Sequence, residues 1–349
     1  MTLRSSFEAN SGNLDLIRSV AVLCVFTGHL HDLVTHTRPE FFFRFAQIGV
    51  LIFFVHTSFV LMMSLERSES EGPAFFGSFY VRRFFRLYPL SIVCVLFAFL
   101  FSLAPNLDAP FRHWTVRELA ANLTLTTNLT FTDEMVGGLW TLPLEMQMYF
   151  FLPFAFLACR SRPALFALGL WLVSVPIAIT EPHVSARLSV LAYAPCFLAG
   201  VLAWRLSREA PRALPGWLWP VAFVATWTVF LLTSRDSIMF FRWAFSLTLG
   251  VALPFFAEIP FVWVRKVAHV VAKYSYGIYL SHFAIILLVF RLPIPLVWRW
   301  VVFVPVMIVV PVALFHLIEQ PMLRFGQRLA ARMFGHAPAL APQPVTSRS

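Results

Sequence analysis

Charge is scarce in this chain. Asp, Glu, Lys and Arg together make up 13% of its 349 residues, against 59% hydrophobic side chains, and that balance cannot clothe a soluble domain in polar surface. Cysteine is scarcer still. The four thiols, Cys24, Cys94, Cys159 and Cys196, lack the spacing of a disulfide framework or a metal cluster; they read as small packing residues, with neither disulfide nor metal expected. Acidic residues number 17 against 27 Lys plus Arg. The net charge of +10 requires no nucleic acid, because basic loops facing an anionic leaflet account for it. Internal repeats are missing, and the longest polar segment, 105–137, is too short for an independent domain.

What is present is one apolar run after another, giving a mean hydropathy of +0.76. A span needs roughly 20 such residues to cross a hydrocarbon core of about 30 Å. The pattern predicts an all-α, polytopic membrane protein of about ten transmembrane helices, over 14–34, 45–65, 84–104, 138–157, 164–179, 188–206, 217–232, 239–256, 274–290 and 298–317. A polar, nearly charge-balanced leader precedes the first span and no small-residue cleavage pattern follows Leu30, so this span is expected to stay as a helix. Basic residues concentrate on alternate connections, as at Arg82, Arg83 and Arg86, at Arg205 and Arg208, and at Arg324, Arg328 and Arg332. This bias places both termini in the cytoplasm of a multi-pass plasma-membrane protein, expected to be that of a bacterial inner membrane. Residues 1–333 form a single transmembrane domain on this reading. The segment 64–80 is expected to be a mobile cytoplasmic loop, and the Ala- and Pro-rich tail 334–349 to be disordered and cytoplasmic.

Ionisable groups inside a bilayer cost a few kcal/mol on insertion scales, about 2.5–3.5 at a helix centre, so each is a candidate functional residue. Arg18 and His29 lie 11 residues apart on the first span, which returns to within about 20° of the same helical face. Glu145 opens the fourth span, in LWTLPLEMQMYFFLP. Its depth is expected to match that of His29, which makes the two partners, and Tyr149 shares its face at i+4. Trp140 reads as either an interfacial belt residue or a ligand contact. Arg82, Arg83 and Arg86 fall within two turns of one another, either as a topology anchor or as a grip for a phosphorylated ligand, since guanidinium forks match phosphate oxygens. Ser275, Tyr279 and His282 form a polar stripe at i, i+4 and i+7 that should face the bundle interior. His56 reads as structural, and Glu319 as an ion-pair partner for nearby arginines.

In chain order the strings LDLIRSVAVLCVFTGHL, FFVHTSF, FYVRRFFRLYP, LWTLPLEMQMYFFLP, LAYAPCFLAGVL, YSYGIYLSH and HLIEQP resemble membrane-bound acyltransferase family 3. The resemblance runs from about Leu14 to Pro321. It implies transfer of an acyl group, commonly acetyl, from cytoplasmic acyl-coenzyme A to a hydroxyl of a surface carbohydrate or lipid-linked glycan, with no metal. His29 matches the family's membrane histidine and Arg18 its partner. Arg82, Arg83 and Arg86 match the motif that engages the donor, and Glu145 matches the glutamate of the Trp-to-Glu motif. Two departures stand out: His56-Thr57-Ser58 replaces the usual Ile-Ser-Gly, and Pro143 sits inside the fourth-span motif.

The expected catalytic residues are therefore His29, as general base, and Glu145, as the carboxylate orienting it. The donor would sit on Arg18, Arg82, Arg83 and Arg86, and the acceptor near Trp140, Tyr149, Tyr279 and His282. Imidazole serves as a base or as a nucleophile, and the sequence admits both. It also permits a homodimer. The competing class is a proton-coupled carrier of a sugar or similar small molecule, since buried Arg, His and Glu suit that chemistry too; the missing repeats weigh against it.

Overall fold

A computed structural model of the protein describes residues 11–102, 114–209, 214–233 and 239–335. Of the tail expected to be disordered over 334–349, Phe334 closes a helix and Gly335 caps it, and 336–349 lie outside the described residues. Apart from one isolated bridge between Leu214 and Phe256, regular structure among the described residues is entirely helical.

Among the described residues, eight helices are long and apolar enough to cross a membrane. These are α1 (Gly12–Thr35), α2 (Glu40–Glu66), α3 (Gly72–Ser102), α6 (Thr141–Cys159), α7 (Ala164–Val184), α8 (Ser189–Glu209), α11 (Val262–Phe290) and α12 (Leu296–Leu314). The seventh and eighth expected spans form α9 (Leu218–Thr233) and α10 (Met239–Ala252), of 16 and 14 residues. At 1.5 Å per residue their described lengths reach about 24 and about 21 Å, and both helices border 234–238, which lie outside the described residues. The chain is thus a multi-pass helical membrane protein.

Two helices begin well before their apolar runs. Helix α3 starts at Gly72 and α11 at Val262, so both carry basic leading turns. The loop expected over 64–80 is accordingly corrected: only Arg67–Glu71 separates α2 from α3. Gly72, at φ +55°, adopts the left-handed backbone that makes this short reversal feasible. Between α3 and α6 lie two short helices, α4 (Val116–Leu123) and α5 (Thr127–Thr130). Thr115 and Glu118 close a capping box on α4. The buried Asn122 side chain donates to the Asp133 carbonyl and accepts from the Met135 amide, pinning the following segment over the bundle.

Helix α2 is the axis, packed against α1, α8, α6 and α10. Helices α1 and α2 form an antiparallel pair, whereas α1 and α11 run parallel, with contacts from Asp15–His269 through Arg18–Ser275 to His29–His282. The near end of the bundle carries Gly12 of α1 and the far end Thr35. Small residues set the closest approaches, as expected where lipid supplies no hydrophobic drive between helices. At Gly200 on α8, an added methyl would overlap the Ser58 hydroxyl and the Val55 carbonyl of α2. Gly200→Ala should therefore lower stability by roughly 1–3 kcal/mol through overpacking, read as a shift of the denaturant midpoint in bicelles; an unchanged midpoint would contradict this packing.

Candidate active site

The seam between α1 and α11 carries polar groups at two levels. Toward the near end, Arg18 Nε donates to Ser275 Oγ at 2.6 Å, while Ser19 Oγ donates to the Ala268 carbonyl at 2.7 Å. Toward the far end, His29 meets His282, Nδ1 to Nε2, at 2.9 Å, with nearly parallel rings 5.2 Å apart. Ser275, Tyr279 and His282 are all buried, so the polar stripe of α11 faces inward.

Around Arg18 lies a narrow cavity of about 100 Å³, lined also by Arg83 and Arg86 of α3, His56 of α2, and Glu145 and Tyr149 of α6. The Tyr149 hydroxyl donates to Glu145 Oε1. Arg86 pairs with Glu319 and lies over the Tyr276 ring, 5.2 Å from its centroid. Glu319 reaches it from a π-helical turn, Phe315–Glu319. Pro321 follows at the start of α13 (Gln320–Phe334); lacking an N–H and crowding the carbonyl four residues back, it favours that local widening. Three guanidinium groups thus stand against two carboxylates, and Arg83 Nε has no hydrogen-bond partner. A buried surplus cation is unfavourable without a counter-ion, so the cavity is electropositive.

A second cavity of about 580 Å³ lies toward the far end, lined by His29, Asp32, Arg38, Gln47, Trp140, Tyr193 and Arg242 among others. Trp140 and Tyr193 rings are 5.7 Å apart, and Arg242 donates to the Tyr193 hydroxyl at 2.9 Å. Val50 and Tyr279 line both cavities. The Tyr279 hydroxyl donates to the Gly138 carbonyl at 2.9 Å and lies 2.8 Å from Thr141 Oγ1. Tyr279 is thus held as a wall between the two spaces.

Hydrogen-bond chemistry fixes the histidine tautomers. His282 Nδ1 lies 3.0 Å from the Ile278 carbonyl, and a carbonyl oxygen only accepts, so His282 carries its proton on Nδ1. Its Nε2 then accepts from Nδ1–H of His29. His29 is left with an unprotonated Nε2, the nitrogen a general base requires.

Several expectations need correction. Glu145 does not meet His29: it lies one level nearer the Gly12 end, with Arg18. The reason is that 133–140 dips into the bundle, so α6 begins deep, with Thr141 already level with Tyr279. Gly137 and Gly138 permit the dip: a methyl on Gly137 would overlap the Phe283 ring, and Gly138 has φ +88°. Pro143 falls in the first turn of α6, where its missing N–H breaks no helical bond. Arg82 lines neither cavity, so only Arg83 and Arg86 of the basic motif converge. Tyr149 belongs to the near cavity, and His282 stands behind His29 instead of lining the far one. His56, read as structural, lines the near cavity. Arg38, Gln47, Tyr193 and Arg242 were missed; Arg242 lies inside an apolar run, and a charge there was the available signal.

These features define a membrane-embedded protein with a cationic cavity and a histidine-lined cavity that share Tyr279. The model of a family described as an acyltransferase domain matches residues 11–316, and the chain belongs to acyltransferase family 3. Nodulation protein 10 of Rhizobium leguminosarum bv. viciae is 27% identical, over 94% of this chain and 98% of that protein. A proposed acetyltransferase, ORF330, of Acidianus two-tailed virus is 25% identical, over 80% of this chain and 84% of its own. No solved structure matches the chain significantly. The protein is an acyltransferase, and the carrier reading gives way to it.

The Arg86–Glu319 pair carries a stability prediction. Glu319→Ala leaves Arg86 buried and unpaired and should cost about 3–5 kcal/mol, whereas Arg86→Met with Glu319→Leu should recover most of it. Unfolding in bicelles measures both; a Glu319→Ala loss under about 1 kcal/mol, as for an exposed pair, would contradict the assignment.

Proposed function

We propose that this protein is an O-acyltransferase of a bacterial plasma membrane, with both termini cytoplasmic and about ten spans. It moves an acyl group, acetyl in the simplest case, from acyl-coenzyme A to a hydroxyl of a surface or lipid-linked carbohydrate. The observation that carries this reading is the meeting of the two cavities at Tyr279. A cationic space toward the near, cytoplasmic end suits the donor, and a roomier space with a histidine and an aromatic pair suits a sugar. The acetyltransferase description of the viral relative favours acetyl.

The near cavity is too small for a whole nucleotide. The thioester arm would thread it past Arg18, with Arg83 and Arg86 drawing the phosphates from the near face. The acyl carbon would then reach Tyr279 and the edge of the far cavity. There the acceptor hydroxyl loses its proton to His29 Nε2 as its oxygen attacks the thioester carbonyl. The carbon–sulfur bond breaks, and the departing thiolate takes up a proton, giving ester and free coenzyme A. His282 stabilises the resulting imidazolium by accepting from its Nδ1–H, the part that Glu145 was expected to play. Glu145 instead balances Arg18, Arg83 and Arg86. Trp140 and Tyr193 offer apolar ring faces to the sugar, while Arg38, Gln47 and Arg242 supply polar contacts.

The test is label transfer from acetyl-coenzyme A to envelope carbohydrate in inside-out vesicles, with free thiol followed in parallel. Folded His29→Ala should transfer nothing. Removing the orienting ring in His282→Ala should lower kcat about 10²–10⁴-fold, the range of general-base contributions, with KM little changed; His282→Gln, whose amide oxygen can still accept, should recover part of this. Wild-type transfer by folded His29→Ala would sink the mechanism.

A further inference from the structure

Helix α2 turns one face toward the near cavity as it leaves the Tyr279 wall. Val50 lines both spaces, and Phe53, His56, Thr57 and Val60 follow into the near one. The Phe53 ring stands edge-on to Tyr279, centroids 5.6 Å apart. Helix α2 runs antiparallel to α1, so His56, three residues further along, lies about 4.5 Å closer to the near end. It stands just on the donor side of the wall.

His56 is only 6% exposed, yet its ring has no hydrogen-bond partner among the described residues. Leaving a buried polar group in that state costs on the order of 1–3 kcal/mol, so such a group calls for an explanation. The other buried polar groups of the cavity are largely engaged. The hydroxyls of Ser275, Tyr276 and Tyr279 donate to the carbonyls of Ala272, Leu87 and Gly138, and that of Tyr149 donates to Glu145. Arg18 is held to Ser275 and Arg86 to Glu319. A neutral imidazole has one N–H to donate and, unlike imidazolium, adds no charge to a space that already holds a surplus cation.

We propose that His56 is a further catalytic residue, whose ring N–H donates a hydrogen bond to the thioester carbonyl oxygen of the acyl donor and holds the negative charge that gathers there. This role rests on the O-acyltransferase reading and adds a residue that reading leaves idle. The acceptor oxygen arrives from the His29 side and forms its bond to the acyl carbon at Tyr279. The carbonyl electron pair moves onto the carbonyl oxygen on the donor side, where His56 stands and Arg18 adds its positive field. When that pair returns, the carbon–sulfur bond breaks and the proton taken by His29 ends on the thiolate. His56 keeps its own proton throughout. A donor already aimed at the oxygen costs no reorganisation as the charge develops, which is where such a contact contributes most.

The experiment uses the full-length protein in phosphatidylcholine nanodiscs. Acetyl-coenzyme A and envelope carbohydrate serve for kinetics. A ketone analogue of acetyl-coenzyme A, with methylene in place of sulfur and carbon-13 at the carbonyl, serves for infrared spectroscopy. The ketone stretch should lie at lower frequency on wild type than on His56→Leu, which lacks the N–H, and His56→Gln, whose amide still donates, should keep most of that shift. His56→Leu should lose about 10²–10³ in kcat, the range for removing one oxyanion donor, with KM for acetyl-coenzyme A little changed; His56→Gln should recover part of the loss. Equal ketone frequencies on wild type and His56→Leu would overturn the proposal, as would wild-type kcat in His56→Leu or no binding of the analogue by folded wild type. A wild-type frequency equal to that of the ketone in hexane, where nothing donates, overturns it without any variant. A ketone shift that depends on His56, in a protein that transfers acyl to no carbohydrate, would count against the O-acyltransferase reading and leave the His56 contact standing; intact transfer with no such shift would retire the His56 role alone.

Discussion

The parallel pairing of α1 with α11 is the constraint on which the rest of this structure depends. In hydrocarbon a polar group without a partner costs several kcal/mol, and this seam pairs polar groups at every level. Ser19 meets a backbone carbonyl, Arg18 meets Ser275 and His29 meets His282. A slip of one residue along the seam would separate all of these pairs together. The register is therefore fixed by unfavourable alternatives as much as by the strength of any one bond.

From that register follows the division into two chemistries. Arg18 and His29 share a face of α1 at different depths, so each becomes the core of its own cavity. Helices α3 and α6, with the π-helical turn at Glu319, bring the remaining charges to the Arg18 level, where a surplus cation persists. At the His29 level the second imidazole replaces a carboxylate, and a backbone carbonyl sets the tautomer of both rings. Tyr279 stands between, held by Gly138 and Thr141.

Much of this was legible in the sequence. Apolar runs predicted the helices, the 11-residue spacing put Arg18 and His29 on one face, and the stripe Ser275, Tyr279, His282 marked the face that meets them. The family motifs supplied the enzyme class. Pairing was less legible, because depth was judged from distance along each apolar run. Glu145 was misplaced since nothing in a hydropathy pattern shows that 133–140 folds inward; Gly137 and Gly138 hint at a turn but not at its depth. Arg82 was grouped with Arg83 and Arg86 by proximity, though successive helical residues point about 100° apart. Arg242 was not singled out, although it is a charge inside an apolar run. His56 was taken as structural because its cavity is completed by α6 and α11, which are remote from α2 in sequence.

The central claim is that donor and acceptor approach from opposite ends and meet at Tyr279. A structure of the protein bound to a non-hydrolysable acetyl-coenzyme A analogue tests it most directly. The account predicts the phosphates toward Arg83 and Arg86, the pantetheine arm beside Arg18, and the acyl carbonyl at Tyr279, within reach of an oxygen bonded to His29 Nε2. A donor lying wholly in the far cavity, or one whose acyl group ends away from the Tyr279 wall, would contradict it.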